Sequence, residues 1–193
     1  MSSTTNYLVT GANRGLGLAF VSIYLSRPNS TIIAAVRDPS HPSIKALSSL
    51  PKASSTNLVI IKIDSVSITD AATAAEELRL RHNITNLDIV IANAGIAKTY
   101  PLAAEADPKD VLEHFQVNAI GVLVLFQAVL PFLKEAKNPK FVTISSSAGS
   151  ISPMELAPVP NSAYGPSKTA VNYITRKIHF ENSWLVVFPV HPG

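Results

Sequence analysis

Short apolar runs recur along this chain and alternate with longer segments of mixed polarity. The runs contain many β-branched residues and few charges, which is typical of strands that are covered on both faces. Because buried strands that alternate with helices form parallel sheets, the pattern predicts an α/β fold with a three-layer, doubly wound parallel sheet. The predicted strands are residues 7–10, 31–36, 57–63, 87–92, 141–144 and 184–190.

The segments between the runs have helical spacing. The longest predicted helix, 108 to about 134, has an apolar middle at 122–126 and carries Asn118 near its centre. A helix that is apolar nearly all round is normally covered on more than one side, so we expect a homodimer or homotetramer. The other predicted helices are residues 18 to about 28, 43–50, 67–81 and 164 to about 181.

Composition narrows the class of protein. Over 193 residues, 47% are hydrophobic and 15% are charged, which indicates one globular domain over residues 1–193. The net charge of +3 is dispersed, so we expect neither a nucleic acid nor a membrane as partner. The absence of cysteine excludes disulfides and thiolate chemistry. We expect no metal site, because ligand spacing is lacking among His41, His82, His114, His179 and His191.

The N-terminal residues and the apolar runs bear on location. Residues 1–6 lack the basic segment of a signal peptide. The longest apolar run, 119–133, is interrupted by Gly121, Gln127 and Pro131 and is shorter than the roughly 20 residues that span a bilayer. We therefore expect a soluble, cytoplasmic protein.

A glycine-rich turn follows the first predicted strand, with Gly11, Gly15 and Gly17 before a helical segment. Glycines at this place permit a tight turn and close approach of a ligand, and the helix N-terminus offers N–H groups to a pyrophosphate. The turn is a candidate dinucleotide site, and an ordinary strand–helix turn is the alternative.

Arg37 ends the second predicted strand, about 20 residues beyond the glycine turn, where dinucleotide folds select their cofactor. A carboxylate there binds the ribose 2′-hydroxyl of NAD, whereas an arginine suits a 2′-phosphate. Arg37 therefore favours NADP(H) over NAD(H). The alternative is a surface arginine in the turn before Asp38.

Three further polar motifs follow predicted strands. Asp64 follows the third, 93–95 (Asn-Ala-Gly) the fourth and the serines 145–147 the fifth. Ligands bind at the carboxyl ends of the strands in open α/β sheets, so these motifs are candidate site residues. A plain strand-end cap is the alternative for Asp64.

Tyr164 and Lys168 stand four residues apart at the start of a predicted helix, so they share one helix face. A cation beside a phenol favours the phenolate, and we therefore expect Lys168 to lower the Tyr164 pKa for acid/base chemistry. A solvated helix face carries the same spacing and is the alternative.

The glycine turn, the Asn-Ala-Gly motif, Asn118, Ser146 and the Tyr164/Lys168 pair occur in the order of a known family. From residue 7 to residue 193 the chain resembles the short-chain dehydrogenase/reductase family in its compact form. The resemblance implies a Rossmann fold and an NADP(H)-dependent ketoreductase or carbonyl reductase. It also implies a small-molecule ketone or secondary alcohol as substrate.

The resemblance implies catalytic roles for four residues. Tyr164 would protonate the carbonyl oxygen as hydride arrives, and Lys168 would lower the Tyr164 pKa and hold the nicotinamide ribose. Asn118 would position a water for proton supply; a helix-interior amide bonded to backbone is the alternative. Ser146 would bind the substrate oxygen, because it matches the family's Ser-Ser-x-x-Gly pattern, with Ser145 and Ser147 as alternatives.

Further residues would hold the cofactor. By the resemblance, Asp64 would contact the adenine, Asn93 would stabilise the sheet beside the cofactor, and Arg14 with Arg37 would receive the 2′-phosphate. The cofactor-binding residues implied are Gly11, Asn13, Arg14, Gly15, Leu16, Gly17, Arg37, Asp64, Asn93, Ala94, Gly95, Tyr164, Lys168, Pro192 and Gly193.

The chain departs from the family in two places. The loop from Ser146 to Tyr164, with Pro153, Pro158 and Pro160, is longer than the family pattern. The family also continues past the Pro-Gly turn with a further strand and a substrate lid, which this sequence lacks. Residues 164–191 look like ketoreductases of the norsolorinic-acid type, in secondary metabolism. A catalytically weak or inactive NADP(H)-binding relative is the alternative function.

Overall fold

Six parallel strands form the central sheet. The computed structural model describes residues 4–152, 154–156 and 159–193; Pro153 and Pro158 of the proline-rich loop lie outside the described residues. The strands are β1 (Thr5–Thr10), β2 (Ser30–Val36), β3 (Asn57–Lys62), β4 (Ile89–Ala92), β5 (Lys140–Ile144) and β6 (Val186–Val190). Their order is β3-β2-β1-β4-β5-β6 and every neighbouring pair is parallel, which confirms the predicted doubly wound sheet.

Helices connect the strands. They are α1 (Gly15–Leu25), α2 (Ser43–Ser48), α3 (Asp70–His82), α4 (Pro108–Phe115), α5 (Gly121–Lys134) and α6 (Tyr164–Glu181). A π-helical turn, Gln116–Ile120, joins α4 to α5, and short 3₁₀ turns lie at Ser147–Gly149 and Met154–Leu156. The helix predicted from residue 67 begins at Asp70 instead, with Thr69 as its N-cap residue, and the Ser67 hydroxyl accepts a hydrogen bond from the Asp70 N–H just before the first turn.

The core has one cluster on each face of the sheet, because alternate residues of a strand point to opposite faces. Leu8 and Ile33 face the cluster built with α3, α5 and α6. Val9 and Ile32 face the cluster built with α1 and α2. The helices therefore form outer layers on both sides. Because all the strands are parallel, their carboxyl ends lie at the same edge of the sheet.

The long helix that runs from Pro108 to Lys134 is the one described helix long and apolar enough to cross a membrane by length and composition. A core helix of a globular protein can have the same length and composition. Here Leu125, Val129 and Phe132 are buried in the core cluster against the sheet. On its outer side Leu112 and Leu123 are exposed. The partner subunit expected over this surface stays a prediction.

Candidate active site

The glycine turn lies where the sheet changes direction. β1 and β4 are neighbours, whereas β2 and β3 lie on the other side of β1, so the connections leave β1 and β4 in opposite directions. Ligand crevices of open α/β sheets form at this point. Gly11–Gly17 follows β1 and the Asn-Ala-Gly motif follows β4, so the two motifs meet here.

Glycine is required in the turn by geometry. A Cβ on Gly17 would lie 2.1 Å from the Gly11 carbonyl oxygen, so α1 packs directly on the turn. Gly15 has φ +53°, which other residues rarely adopt, and a Cβ built there meets nothing within 4 Å. The turn is thus both tight and open on the outside. The first N–H groups of α1 have no partners within the helix and can bind a pyrophosphate.

Asn93 joins the ends of β1 and β4. Its side-chain amide donates to the Thr10 carbonyl oxygen at 2.9 Å. The Thr10 hydroxyl in turn accepts from the N–H groups of Asn93 and Ala94, each at 3.0 Å. These bonds hold the two strand ends together beside the glycine turn.

The candidate ligands of a 2′-phosphate lie on the surface. Arg37 is exposed at the end of β2, and Arg14 is exposed in the glycine turn. Across the described ranges neither guanidinium takes part in an ion pair. Asn13 connects the glycine turn to the start of α2, because its amide donates to the Ser43 hydroxyl at 2.8 Å.

Asp64 follows β3 and is half-buried. One carboxylate oxygen accepts from the Val66 N–H at 3.2 Å, so Asp64 makes the cap that was the alternative to an adenine contact. The carboxylate has two oxygens, and the cap leaves acceptor capacity for a ligand. The adenine contact stays a prediction.

Tyr164 and Lys168 share the face of α6 that points to the end of β5. Just before the helix, the Asn161 side-chain oxygen accepts from the N–H of Gly165 in its first turn at 2.6 Å. Lys168 is 5% exposed, and its ammonium donates to the Ile144 carbonyl oxygen at 2.7 Å. It lies 5.6 Å from the centre of the Tyr164 ring. The solvated-face alternative does not hold for Lys168.

The protonation of this pair differs from the expectation. Burial lowers the Lys168 pKa to about 8. Burial also raises the Tyr164 pKa above its ordinary value, against the lowering effect of a hydrogen-bonding contact with Ser146, and the Tyr100 phenol adds to the rise. The predicted lowering of the Tyr164 pKa by Lys168 is therefore wrong for this structure. Burial of the Tyr164 phenol is the largest effect on its pKa. The Lys168 ammonium, which is hydrogen-bonded to the Ile144 carbonyl oxygen, does not offset it.

The three serines after β5 have different surroundings. Ser145 is buried, and its hydroxyl donates to the Asn172 side chain at 2.5 Å. Ser146 contacts the Tyr164 hydroxyl closely enough to lower its pKa. Ser147 is exposed. The geometry favours Ser146 as the serine that shares a substrate with Tyr164.

Asn118 lies in the π-helical turn and is almost fully buried. Its side-chain oxygen accepts from the Ile96 N–H at 2.8 Å, and its amide donates to the Ile96 carbonyl oxygen and the Ser167 hydroxyl, each at 2.9 Å. These bonds match the alternative of an amide satisfied by backbone. A Cβ on Gly95 would lie 3.0 Å from the Asn118 side-chain oxygen and 3.6 Å from the Lys168 ammonium, so the three residues meet.

Two aromatic side chains beside Tyr164 were not identified from the sequence. The rings of His114 and Tyr100 each lie edge-on to Tyr164, with centroids 6.3 Å apart. His114 is fully buried, with Nδ1 on the Asp110 carbonyl oxygen at 2.6 Å and Nε2 accepting from the Lys98 N–H at 3.1 Å. Its position four residues before Asn118 on one helix face was the available signal.

Pro192 and Gly193 follow β6 and are exposed. The Ser145 N–H donates to the Val190 carbonyl oxygen at 2.8 Å, so the end of β6 lies beside the serine segment. Pro192 and Gly193 therefore lie at the same edge of the sheet as Tyr164. No group of three His, Asp or Glu residues that could hold a metal occurs among the described residues.

The family model for short-chain dehydrogenases matches residues 5–191. The chain belongs to this family. Norsolorinic acid ketoreductase nor1 of Dothistroma septosporum is 47% identical to it, over all of this chain and 72% of the relative. The corresponding ketoreductase stcE of Emericella nidulans is 44% identical over 98% of this chain and 72% of its own length. The protein is thus an oxidoreductase of this family, and the resemblance to norsolorinic-acid-type ketoreductases is confirmed.

A solved structure of a family relative agrees with the fold. The NADPH-bound carbonyl reductase from chicken fatty liver has a TM-score of 0.88 and is 32% identical, over all of this chain and 80% of that protein. The match extends through the glycine turn, the long helix and α6, the elements that carry the candidate site of this oxidoreductase.

Proposed function

We propose that this short-chain dehydrogenase is an NADP(H)-dependent ketoreductase that interconverts a ketone and a secondary alcohol. The observation that carries the proposal is the meeting of Tyr164, Ser146 and Lys168 at the carboxyl edge of the sheet, beside the glycine turn. The relatives that are named norsolorinic acid ketoreductases support an aromatic polyketide ketone as the class of substrate. We also propose a cytoplasmic location and a homodimer or homotetramer.

The residues present fit a dinucleotide. Gly17 allows α1 to approach the turn, and the space outside Gly15 is open to a pyrophosphate. Arg14 and Arg37 are the proposed partners of a 2′-phosphate, which supports NADP(H) over NAD(H). Lys168 is the proposed partner of the nicotinamide ribose. When bound, the cofactor supplies hydride for reduction or accepts it in the reverse direction.

Ser146 and Tyr164 act on the substrate oxygen in this proposal. The Ser146 hydroxyl donates a hydrogen bond that orients the carbonyl, and the Tyr164 hydroxyl donates the proton that completes the alcohol. The raised Tyr164 pKa keeps the phenol protonated at neutral pH, as a proton donor must be. Below about pH 8 Lys168 carries its charge and stabilises the phenolate left after transfer.

The test has two stages. Titration with NADPH and with NADH, followed by nicotinamide fluorescence, measures binding and cofactor preference. Turnover is then measured with a panel of aromatic ketones, with Tyr164→Phe as the reference. Turnover well above that of Tyr164→Phe supports the ketoreductase. Binding of NADPH without such turnover selects the alternative, a non-catalytic NADP(H)-binding protein, and absence of nucleotide binding overturns both.

A further inference from the structure

Asn172 lies on α6 four residues after Lys168 and eight after Tyr164, so it continues the same helix face. The oxygen and the nitrogen of its side-chain amide both form hydrogen bonds to one short segment, residues 145–149. The oxygen accepts from the Ser145 hydroxyl at 2.5 Å, and the nitrogen donates to the Gly149 carbonyl oxygen at 3.3 Å. One side chain of α6 therefore binds the first and last residues of the segment 145–149.

Ser146 lies between the two residues that Asn172 binds. Between them the chain makes a tight 3₁₀ turn, in which the Gly149 N–H donates to the Ser146 carbonyl oxygen at 3.0 Å and the Ala148 N–H donates to the Ser146 hydroxyl at 3.2 Å. A Cβ on Gly149 would lie 2.5 Å from the Lys168 carbonyl carbon, so the turn rests directly on α6. The Ser146 hydroxyl therefore has little freedom while both ends are held.

We propose that Asn172 is a positioning residue that holds the Ser146 hydroxyl in register with Tyr164 and Lys168. Tyr164 and Lys168 belong to α6, whereas Ser146 belongs to the segment after β5. Side chains from α6 and from the segment after β5 can act on one substrate oxygen only if the distance between the two elements stays constant. Displacements near 1 Å cost roughly a hundredfold in rate. The effect on kcat that this inference predicts rests on the proposed reductase function, whereas the positioning of Ser146 by Asn172 does not.

A second side-chain hydrogen bond of α6, closer to its C-terminal end, offers a matched control. The Thr175 hydroxyl bonds to the Thr143 hydroxyl at 2.9 Å, and both residues are fully buried. This pair also joins α6 to β5, but it does not contact the segment 145–149. Thr175→Val removes a polar link between helix and strand while leaving the Ser146 turn untouched.

Hydrogen exchange of the Ala148 amide reports the position of the Ser146 hydroxyl without need of turnover. In Asn172→Ala, which removes both hydrogen bonds from Asn172 to the segment 145–149, we expect that amide to exchange about tenfold faster. Ser145→Ala, a smaller change, removes one of the two bonds and should show a weaker effect in the same place. In Thr175→Val the Ala148 amide should exchange as in the unaltered protein.

Kinetics then separates positioning from folding. Asn172→Ala and Ser146→Ala should each lower kcat by about ten- to a hundredfold, with NADPH affinity unchanged. In the double variant the loss should equal that of Ser146→Ala alone, because Asn172 acts through Ser146. Thr175→Val should lower the melting temperature without lowering the kcat of the folded protein.

Two results would overturn the proposal: unchanged Ala148 exchange in Asn172→Ala and Ser145→Ala, or kcat losses that multiply in the double variant. If Asn172→Ala does not fold, Ser145→Ala alone decides by the same exchange measurement. If the unaltered protein binds NADPH but turns over no ketone, the reductase function fails, and Ala148 exchange still decides whether Asn172 holds the Ser146 turn.

Discussion

The Lys168 ammonium donates a 2.7 Å hydrogen bond to the carbonyl oxygen of Ile144, the last residue of β5. This bond ties the first turns of α6 to the strand that leads into the Ser146 turn. Lys168 is also largely removed from water, since the residue is 5% exposed. The hydrogen bond therefore fixes the position of the ammonium, whereas burial lowers its pKa.

Tyr164→Phe removes the proposed proton donor and leaves the ring in place. We expect kcat to fall by about a factor of 10² to 10⁴, the usual contribution of general acid catalysis, with little change in NADPH affinity. Steady-state turnover and nicotinamide fluorescence check this. Tyr173→Phe is the control, because Tyr173 lies on the same helix and is exposed. Equal losses in both variants would contradict the role of Tyr164.

Lys168 makes stability depend on pH. Burial lowers its pKa from 10.5 to about 8, so between these pH values the unfolded chain binds more protons than the folded one. The free energy of unfolding should therefore rise with pH, by about 2 kcal/mol between pH 7 and pH 9.5. Urea denaturation at pH 7 and at pH 9.5 measures the rise, which Lys168→Met should abolish.

An exposed lysine on the same helix gives the comparison for that experiment. Glu181 raises the pKa of Lys177 in the folded chain. An ordinary lysine pKa of about 10.4 also lies above pH 9.5, so Lys177 stays largely protonated between pH 7 and pH 9.5 in both states. Lys177→Met should leave the pH dependence between pH 7 and 9.5 unchanged. A rise in stability that persists in Lys168→Met would show that other groups cause it.

Gly17→Ala places a Cβ 2.1 Å from the Gly11 carbonyl oxygen and 2.7 Å from the Asn93 side chain. The turn must shift to accommodate it, so we expect a loss of about 1 to 3 kcal/mol in stability and at least tenfold weaker nucleotide binding. Thermal unfolding and NADPH titration test both effects. Ala19→Ser, on the exposed side of α1, should change neither quantity. Unaltered NADPH affinity in Gly17→Ala would place the nucleotide elsewhere.

Arg37→Glu tests the cofactor preference. Replacing a cation with a carboxylate at the end of β2 should weaken NADPH binding by about ten- to a hundredfold and leave NADH binding unchanged or stronger. The ratio of the two dissociation constants is the measurement. Arg81→Ala removes an exposed arginine of α3 and should leave the ratio as it was. A parallel loss for both cofactors would mean that Arg37 does not contact the 2′-phosphate.

The local pattern of apolar and polar residues was enough to predict most of the strands and helices. Strands were predicted to within about two residues, because buried parallel strands are continuously apolar and bounded by turn residues. The pairing of Tyr164 with Lys168 on one face also followed from spacing, since positions four apart in a helix are neighbours wherever the helix lies. The glycine turn was recognised for the same reason: its requirement for glycine arises within seven residues.

What the sequence determined by itself is therefore local: strand and helix type, the order of the motifs, and the common face of Tyr164 and Lys168. The tertiary structure decided the direction of the Tyr164 pKa, because desolvation depends on everything packed around the phenol. It also brought Asn172 to Ser145 across 27 residues of sequence. Spacing along the chain cannot encode such contacts, because they exist only once β5 and α6 lie side by side.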